Sequence, residues 1–228
     1  MRLLSIETSC EYASVALLTG DELFSQDLHG HVSHSERLLP LIRRMLGEAG
    51  LCASALDAVA FSAGPGAFTG LRLACGVAQG LAMGAGIGVV PVSSLAALAL
   101  QGGPGQVLAV TDARMGEIYV AGYEIGRGLP AELRSPSCMP PEELVLDGNW
   151  QVIGSGLRAW SDLLPADAPG VLSRDATLVP RATEVAHIAA AQLRAGISPL
   201  APELAVPVYV RDKVALTTRE RLARGGKA

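Results

Sequence analysis

Hydrophobic and polar positions along the first hundred residues predict strands that alternate with helices. Short apolar runs bounded by polar turns indicate strands, and apolar residues at helical spacing indicate helices. The predicted strands lie at 2–8, 13–18, 22–27, 58–62 and 87–92. The predicted helices lie at 35–49, 71–84 and 94–100. Alternation of this kind favours an α/β fold.

A glycine- and proline-rich sequence at 102–105 predicts a boundary between two halves of the chain. The second half begins with a strand pair, as the first half does. Its predicted strands lie at 107–111, 117–123 and 151–153, its predicted helix lies at 182–195, and 130–141 is predicted as loop and extended chain. We therefore expect an N-terminal subdomain at 1–102, a C-terminal subdomain at 106–216 and a tail at 217–228.

The composition of the 228 residues favours a globular protein that does not bind nucleic acid by itself. Hydrophobic residues make up 50% and charged residues 18%, and the formal net charge is -4. A stand-alone nucleic-acid binder takes much of its affinity from basic side chains that neutralise phosphates, and the sequence has no evident basic face. The longest apolar stretch, 71–92, is interrupted by glycines and Arg72, so we expect a buried helix and strand there and no membrane span.

The cysteines and the N-terminal residues predict a cytoplasmic protein without a structural metal. Cys10, Cys52, Cys75 and Cys138 match no zinc-ligand spacing, which favours free thiols in a reducing compartment. The apolar run at the N-terminus is too short for a signal peptide. We also find neither a GxSxG nucleophile motif nor a cysteine with a plausible histidine partner.

The loop GPGAFTGLR at 64–72 is the strongest candidate for binding a nucleotide phosphate. It lies between a predicted strand and a predicted helix, where glycines leave backbone N–H groups free to face an anion and the helix N-terminus adds partial positive charge. The candidate residues are Gly64 and Gly66, although the loop matches neither a Walker A motif nor the dinucleotide fingerprint. The alternative is that these glycines serve a tight turn and close helix packing.

Glu7 and Thr8 are the second pair of candidates for a nucleotide site, because they lie where the first strand passes into a turn. Folds of the actin and sugar-kinase type have an acidic residue and a hydroxyl there, beside the phosphates and Mg²⁺. The alternative is a turn in which Thr8 and Ser9 bond the local backbone. The histidines at 29, 31 and 34 have spacing that metal ligands can have, but solvated loop histidines are the favoured interpretation, and we expect no metal.

The helices at 35–49 and 71–84 carry apolar residues on more than one face. A helix that is apolar on several faces is buried on several faces, so these helices are candidates for a surface that binds another protein. The candidate interface residues are Leu38, Leu41, Ile42, Met45, Arg72, Cys75, Gln79 and Met83. The alternative is that the second subdomain covers the additional apolar surface.

Six segments lie in order along nearly the whole chain: LLSIETSCEYASVALL at 3–18, HSERLLPLI at 34–42, FSAGPGAFTGLRLACGVAQGLA at 61–82, PVSSLAALA at 91–99, TDARMGEIYVAGYE at 111–124 and PVYVRDKVALT at 207–217. Together they resemble the TsaB family, the non-catalytic relatives of TsaD. The first of these segments is shared with TsaD, so the specificity comes from the whole set.

The resemblance implies the actin/Hsp70/sugar-kinase fold, with two related subdomains that each have a mixed sheet flanked by helices. It also implies binding to TsaD and, with TsaE, a complex that makes N6-threonylcarbamoyladenosine in tRNA. In such proteins the two helices of the N-terminal subdomain form the dimer surface, and the family can self-associate through it. Contact with tRNA would then occur only through the complex, and no cofactor is implied for this chain.

One comparison with TsaD favours a partner subunit over an enzyme. In TsaD the strand after the GPG helix leads into a stretch whose histidines bind the catalytic metal. The matching residues here, Val92–Leu98, include no His, Asp or Glu, and hydroxyl and methyl groups do not replace imidazole ligands. The main alternative is an ATP-dependent phosphotransferase or ATPase that uses Glu7, Thr8 and the Gly64–Gly66 loop. A further alternative is a metal-dependent peptidase.

Overall fold

The first half of the chain forms a five-stranded mixed sheet. The structure is a computed structural model that describes residues 1–28, 34–162 and 169–211. The strands of this sheet are β1 (Arg2–Glu7), β2 (Ala13–Thr19), β3 (Glu22–Leu28), β4 (Ala58–Gly64) and β5 (Gly88–Ser93). The spatial order is β3-β2-β1-β4-β5, with β1, β2 and β3 antiparallel and β1, β4 and β5 parallel. Strands β1 and β4 are covered on both faces, and every residue of the two strands except Arg2 is buried.

The second half repeats this topology. Its strands are β6 (Gly105–Arg114), β7 (Glu117–Ile125), β8 (Ala131–Met139), β9 (Trp150–Ile153) and β10 (Val171–Asp175), in the order β10-β9-β6-β7-β8. The first three strands are antiparallel, and β6, β9 and β10 are parallel, as in the first sheet. The predicted α/β architecture, two related mixed sheets flanked by helices as in the actin/Hsp70/sugar-kinase fold, is confirmed.

The helices form layers on and between the two sheets. Helices α1 (His34–Glu48) and α2 (Phe68–Ala85) pack on the outer face of the first sheet. Helices α3 (Ser94–Ala99) and α5 (Ala182–Arg194) lie between the sheets and share one hydrophobic core with residues of both. The short helix α4 (Gly156–Ala159) packs on the second sheet.

Buried serines attach α5 to the first sheet, although α5 comes from the second half of the chain. The Ser5 hydroxyl donates a hydrogen bond to the Ala182 carbonyl at 2.7 Å. The Ala182 N–H donates to the Ser14 hydroxyl at 2.9 Å. These bonds satisfy backbone groups at the first turn of α5, which has no cap from its own N-cap residue Arg181. The subdomain limits at 1–102 and 106–216 stay a prediction.

Several elements differ from the sequence expectations, among them the short helix α4, which was not predicted. Strand β8 forms where 130–141 was expected to be loop and extended chain, because the segment pairs with β7 despite its polar content. Strand β10 was not predicted, since it is short and mostly exposed at the edge of the sheet. Helix α2 begins at Phe68, three residues before the predicted start, and Pro40 lies inside α1 on its exposed side.

After α5 the chain returns to the first sheet through residues 197–211, which we call the strap; this segment contains one 3-10 turn at Pro202–Leu204 and is otherwise non-helical. Leu200 pairs with Val89 of the edge strand β5 through two backbone hydrogen bonds of 2.9 and 2.8 Å. The strap then runs along α2 and ends beside the turn between β6 and β7. Among the described residues, no helix combines the length and apolarity that crossing a membrane requires. The predicted tail at 217–228 lies outside the described residues.

Candidate functional site

A cleft of about 760 Å³ opens between the two sheets and contains part of the predicted nucleotide site. The first half contributes the β1–β2 turn and the start of α2, and the second half contributes the β6–β7 turn and the start of α4. Residues lining it include Thr8, Gly66 and Arg72 from the first half and Asp112, Arg114 and Ser155 from the second. The duplicated topology therefore brings together two strand–strand turns and two helix N-termini that are distant in sequence. Neither Glu7 nor Gly64 lines the cleft.

The glycine loop packs tightly against the β1–β2 turn. A Cβ atom on Gly66 would lie 2.5 Å from the Ser9 carbonyl oxygen, and one on Gly70 would lie 1.8 Å from the Thr8 carbonyl oxygen. The Ala67 N–H donates to the Ser9 carbonyl at 2.7 Å, and the Thr8 hydroxyl donates to the Gly70 carbonyl at 2.7 Å. These contacts support the alternative of close packing for the glycines, and the nucleotide site stays a prediction.

Gly64 is required by the strap. Its φ of 124° is unfavourable for other residues, and a Cβ atom there would lie 2.5 Å from the Val208 carbonyl oxygen. The Val208 N–H donates to the Ala63 carbonyl at 2.7 Å, which holds the strap against the end of β4. The glycine therefore permits close approach of the strap backbone to the end of β4. Nothing in the sequence around Gly64 indicates that the strap packs there.

Glu7 is a fully buried carboxyl group beneath the β1–β2 turn. Its Oε1 accepts the Ser9 N–H at 2.5 Å, whereas Oε2 has no partner. Burial raises the pKa of Glu7, and hydrogen bonds from Ser62 and Ser9 oppose this effect. A buried carboxyl with an unsatisfied oxygen favours its neutral form. Glu7 therefore resembles a structural core residue more than a metal-facing carboxylate.

We expect Glu7→Gln to remove a pH dependence of stability. Because the folded-state pKa of Glu7 is raised, the folded state retains a proton that the unfolded state loses above the ordinary pKa of 4.5. The free energy of unfolding of the wild type should thus fall as pH rises, by up to about 1.4 kcal/mol per pH unit between the two pKa values. Glu7→Gln should lack this decline and gain relative stability toward pH 8.

Urea unfolding of both proteins at several pH values between 4 and 8 measures this difference. The same substitution at the exposed Glu11 is the control for loss of a nearby charge. Parallel pH profiles for the wild type and Glu7→Gln would contradict the expectation.

Residues 92–98, at the end of β5 and in α3, are part of the protein interior. Ser94 is buried, and its hydroxyl lies 2.6 Å from the Ser62 hydroxyl. The Ser93 hydroxyl accepts the Ala96 N–H at 3.3 Å and lies 3.2 Å from the Tyr123 hydroxyl. Within residues 1–28, 34–162 and 169–211, no group of three or more His, Cys, Asp or Glu side chains is arranged to hold a metal ion. His29 and His31 lie outside the described residues.

Most of the predicted interface residues face the core. Leu38, Leu41, Ile42, Met45 and Cys75 are at most 8% exposed and belong to the core between the outer helices and the first sheet. Their side chains cannot contact a partner without rearrangement. The predicted residue set therefore needs revision at these positions, because the apolar pattern identified buried helices without showing which side faces the sheet.

Two other predicted interface residues contact the strap. The Arg72 Nε donates to the Tyr209 hydroxyl at 3.0 Å, and its guanidinium lies 3.8 Å from the centre of the Phe68 ring. The Gln79 amide donates to the carbonyls of Pro202 and Ala205 at 3.1 and 3.0 Å. Met83, by contrast, is 65% exposed. The strap thus covers one side of α2.

The same two helices expose a different set of residues, which we call the outer face. It consists of Leu39, Arg43 and Gly47 on α1 and of Leu73, Gly76, Val77, Gly80, Leu81 and Gly84 on α2. Leu39 is 50% exposed, and a Cβ atom on Gly76, Gly80 or Gly84 would meet no atom within 4 Å. The spacing of these α2 glycines at i, i+4 and i+8 is a sequence signal that could have identified this face.

Comparisons with known proteins relate the chain to a TsaD family model and to proteins named TsaB. The family model described as "TsaD: tRNA N6-adenosine threonylcarbamoyltransferase" matches residues 30–218. The protein of Escherichia coli K12 named "tRNA threonylcarbamoyladenosine biosynthesis protein TsaB" is 36% identical over 226 residues, covering 94% of this chain and 96% of that protein. The protein of the same name from Haemophilus influenzae is 42% identical over 123 residues, which is 52% of each chain.

A solved structure supports the same assignment. The structure described as YeaZ from Pseudomonas aeruginosa is 38% identical, with a TM-score of 0.83, and the match covers 91% of this chain and 99% of that one. The sequence relative from Escherichia coli and the solved structure from Pseudomonas aeruginosa therefore match this chain over 94% and 91% of its length.

Proposed function

The chain belongs to the TsaB family, and we propose that it is a non-catalytic subunit in the synthesis of N6-threonylcarbamoyladenosine in tRNA, acting by docking onto TsaD. The observation that carries this proposal is the outer face of α1 and α2. Its exposed glycines and part-buried leucines leave an apolar surface that no described part of the chain covers.

The shape of the outer face suits another helix or helix pair. Along α2, Gly76, Gly80 and Gly84 lie one turn apart and carry no side chain, so a partner backbone can approach closely. Leu39 on α1 and Leu81 on α2 border a shallow groove between the helices. Burial of these apolar groups supplies the favourable free energy of association.

The packing after β5 supports a non-catalytic role. Leu95, Leu98 and the Ser94 hydroxyl are buried between the sheets, where they pack or bond with neighbouring residues. Side chains of this kind contribute to the core and do not ligate a transition metal. We therefore propose that the transfer chemistry belongs to TsaD, and that this chain acts through the surface it offers, with TsaE joining the pair and tRNA contacted through the complex.

Mixing the purified chain with TsaD tests the proposal. We expect a stable heterodimer by gel filtration at micromolar concentration, and loss of modified adenosine when this chain alone is omitted from a mixture with TsaD, TsaE, ATP and tRNA. Two separate peaks together with full modification in its absence would refute the proposal. Gel filtration of the free chain over a range of concentrations measures self-association through the same face.

A second candidate function is an ATP-dependent phosphotransferase or ATPase, which the cleft between the sheets favours. Thr8, Gly66 and Arg72 line that cleft with the start of α2. Calorimetry with Mg-ATP on the isolated chain separates the two functions. Tight binding with turnover would support the enzyme, and absence of binding would support the docking subunit.

A further inference from the structure

Arg43 is the one charged residue of the outer face. The other members of that face are leucine, valine or glycine. Arg43 is exposed and lines the shallow groove between α1 and α2 together with Leu39 and Leu81. Its guanidinium makes no hydrogen bond or ion pair with any residue that the structure describes. A protein that covers this groove therefore also covers a guanidinium whose donors are not engaged by the described chain.

The neighbouring Arg44 is held within the chain. Its guanidinium donates to the Gln26 side-chain oxygen on β3 and lies 3.8 Å from the Glu48 carboxylate, one turn further along α1. These contacts direct Arg44 toward β3, at the edge of the sheet remote from β4 and β5, on which α2 packs. Of the two adjacent arginines, Arg43 is therefore the one that faces a partner on the outer face.

The two helices are positively charged, although the protein is acidic. Helix α1 contains three arginines and two glutamates, and α2 contains one arginine and no acidic residue. Their combined formal net charge is thus +2, whereas that of the whole chain is -4. Complementary charge steers association and sets which partner is preferred. The charge of the helices therefore favours an acidic partner surface.

A second copy of this chain does not supply the missing carboxylate from its own outer face. Two copies that pair with two-fold symmetry bring the same surface from both sides, and this surface contains an arginine and no acidic residue. The acidic residues of α1 lie outside it: Glu36 lines a groove between α1 and β3, and Glu48 is paired with Arg44. Self-pairing of outer faces would thus bury two guanidinium groups without partners, which opposes association.

We propose that Arg43 makes the outer face select a partner that carries a carboxylate at the facing position, in preference to a second copy of this chain. The inference rests on the proposed docking onto TsaD, and it assigns that carboxylate to the TsaD surface that covers the groove. A carboxylate there accepts two parallel N–H bonds from the guanidinium, which is a strong and directional contact. The apolar residues of the outer face supply attraction toward either partner, and Arg43 discriminates between them.

Arg43→Met tests this selection, because it removes the charge and keeps a long side chain with good helix propensity. Titration calorimetry with TsaD and sedimentation velocity of the free chain over a range of concentrations measure the two affinities. We expect the dissociation constant for TsaD to rise at least about tenfold, since the facing carboxylate loses its partner. We expect the dissociation constant for self-association to fall at least about tenfold, since no unpaired charge is buried.

Two further variants make the result specific to this charge. Arg43→Glu should weaken TsaD docking more than Arg43→Met does, through repulsion of the carboxylate, and should not strengthen self-association. Arg44→Met removes the neighbouring arginine that is already paired, and it should leave both affinities unchanged. Thermal unfolding of each variant shows that the fold is retained.

The two measurements separate this inference from the proposed function. If the wild type does not bind TsaD, the proposed function fails, and the self-association of Arg43→Met alone decides whether Arg43 opposes self-pairing. If the wild type binds TsaD, the inference is overturned when Arg43→Met leaves either affinity unchanged or moves both in the same direction. It is also overturned when Arg44→Met reproduces the effects of Arg43→Met.

Discussion

Replacement of Gly70 by alanine is expected to lower the free energy of unfolding by about 3 kcal/mol or more, a large overpacking effect. A Cβ atom at this position would lie 1.8 Å from the Thr8 carbonyl oxygen. That carbonyl cannot retreat easily, because the adjacent Ser9 carbonyl accepts the Ala67 N–H and the Thr8 hydroxyl donates to the Gly70 carbonyl. The start of α2 or the β1–β2 turn must therefore shift.

Gly76→Ala on the same helix is the matched control, and we expect it to raise the free energy of unfolding instead of lowering it. No atom lies within 4 Å of a Cβ atom at Gly76, so alanine should gain about 0.5–1 kcal/mol from its better helix propensity. Thermal and urea unfolding of both variants measure the two changes; for a chain of this size 3 kcal/mol corresponds to roughly 6–12 °C in Tm. Equal stability of the two variants would refute the close packing of the glycine loop.

Gly80→Glu is expected to weaken docking onto TsaD by at least about 100-fold without unfolding the chain. The substitution introduces a carboxylate at the centre of the outer face, where docking would bury it without a partner, and an unpaired buried charge costs about 3–5 kcal/mol. Glutamate has the better helix propensity, and the position is open, so the fold should be retained. Glutamate at Met45 or Ala74 would not test docking alone. These residues are 4% and 0% exposed, so the substitution would also destabilise the fold.

Gly128→Glu provides the control for this substitution. Gly128 is exposed on the second half of the chain, away from α1 and α2, and a side chain there would meet no atom within 4 Å. Titration calorimetry or gel filtration with TsaD compares both variants with the wild type. Unchanged affinity of Gly80→Glu would exclude the outer face as the docking surface, and an equal loss in Gly128→Glu would indicate a nonspecific charge effect.

The predicted strands of the first sheet and the predicted helices agree closely with the structure, for a physical reason. Residues that share a face of a strand or helix recur with a fixed period, so burial of β1 or α1 is visible in the order of apolar residues. Strands β8 and β10 contain no fully buried residue, so their sequences lacked this signal, and pairing to β7 and β9 decides their conformation. Of the predicted nucleotide residues, Thr8 and Gly66 line the cleft, whereas Glu7 is buried below it.

The order of residues by itself determined the α/β class, the family and the two strongly apolar helices. Only the tertiary structure decided which sides of those helices are covered. Local periodicity shows that Leu38 and Ile42 share a face, but the sheet that buries this face consists of strands distant along the chain. The close packing at Gly64, the hydrogen bond of Cys75 to Ala205 and that of Arg211 to Ala113 likewise join residues more than 90 positions apart, and no local pattern encodes such contacts.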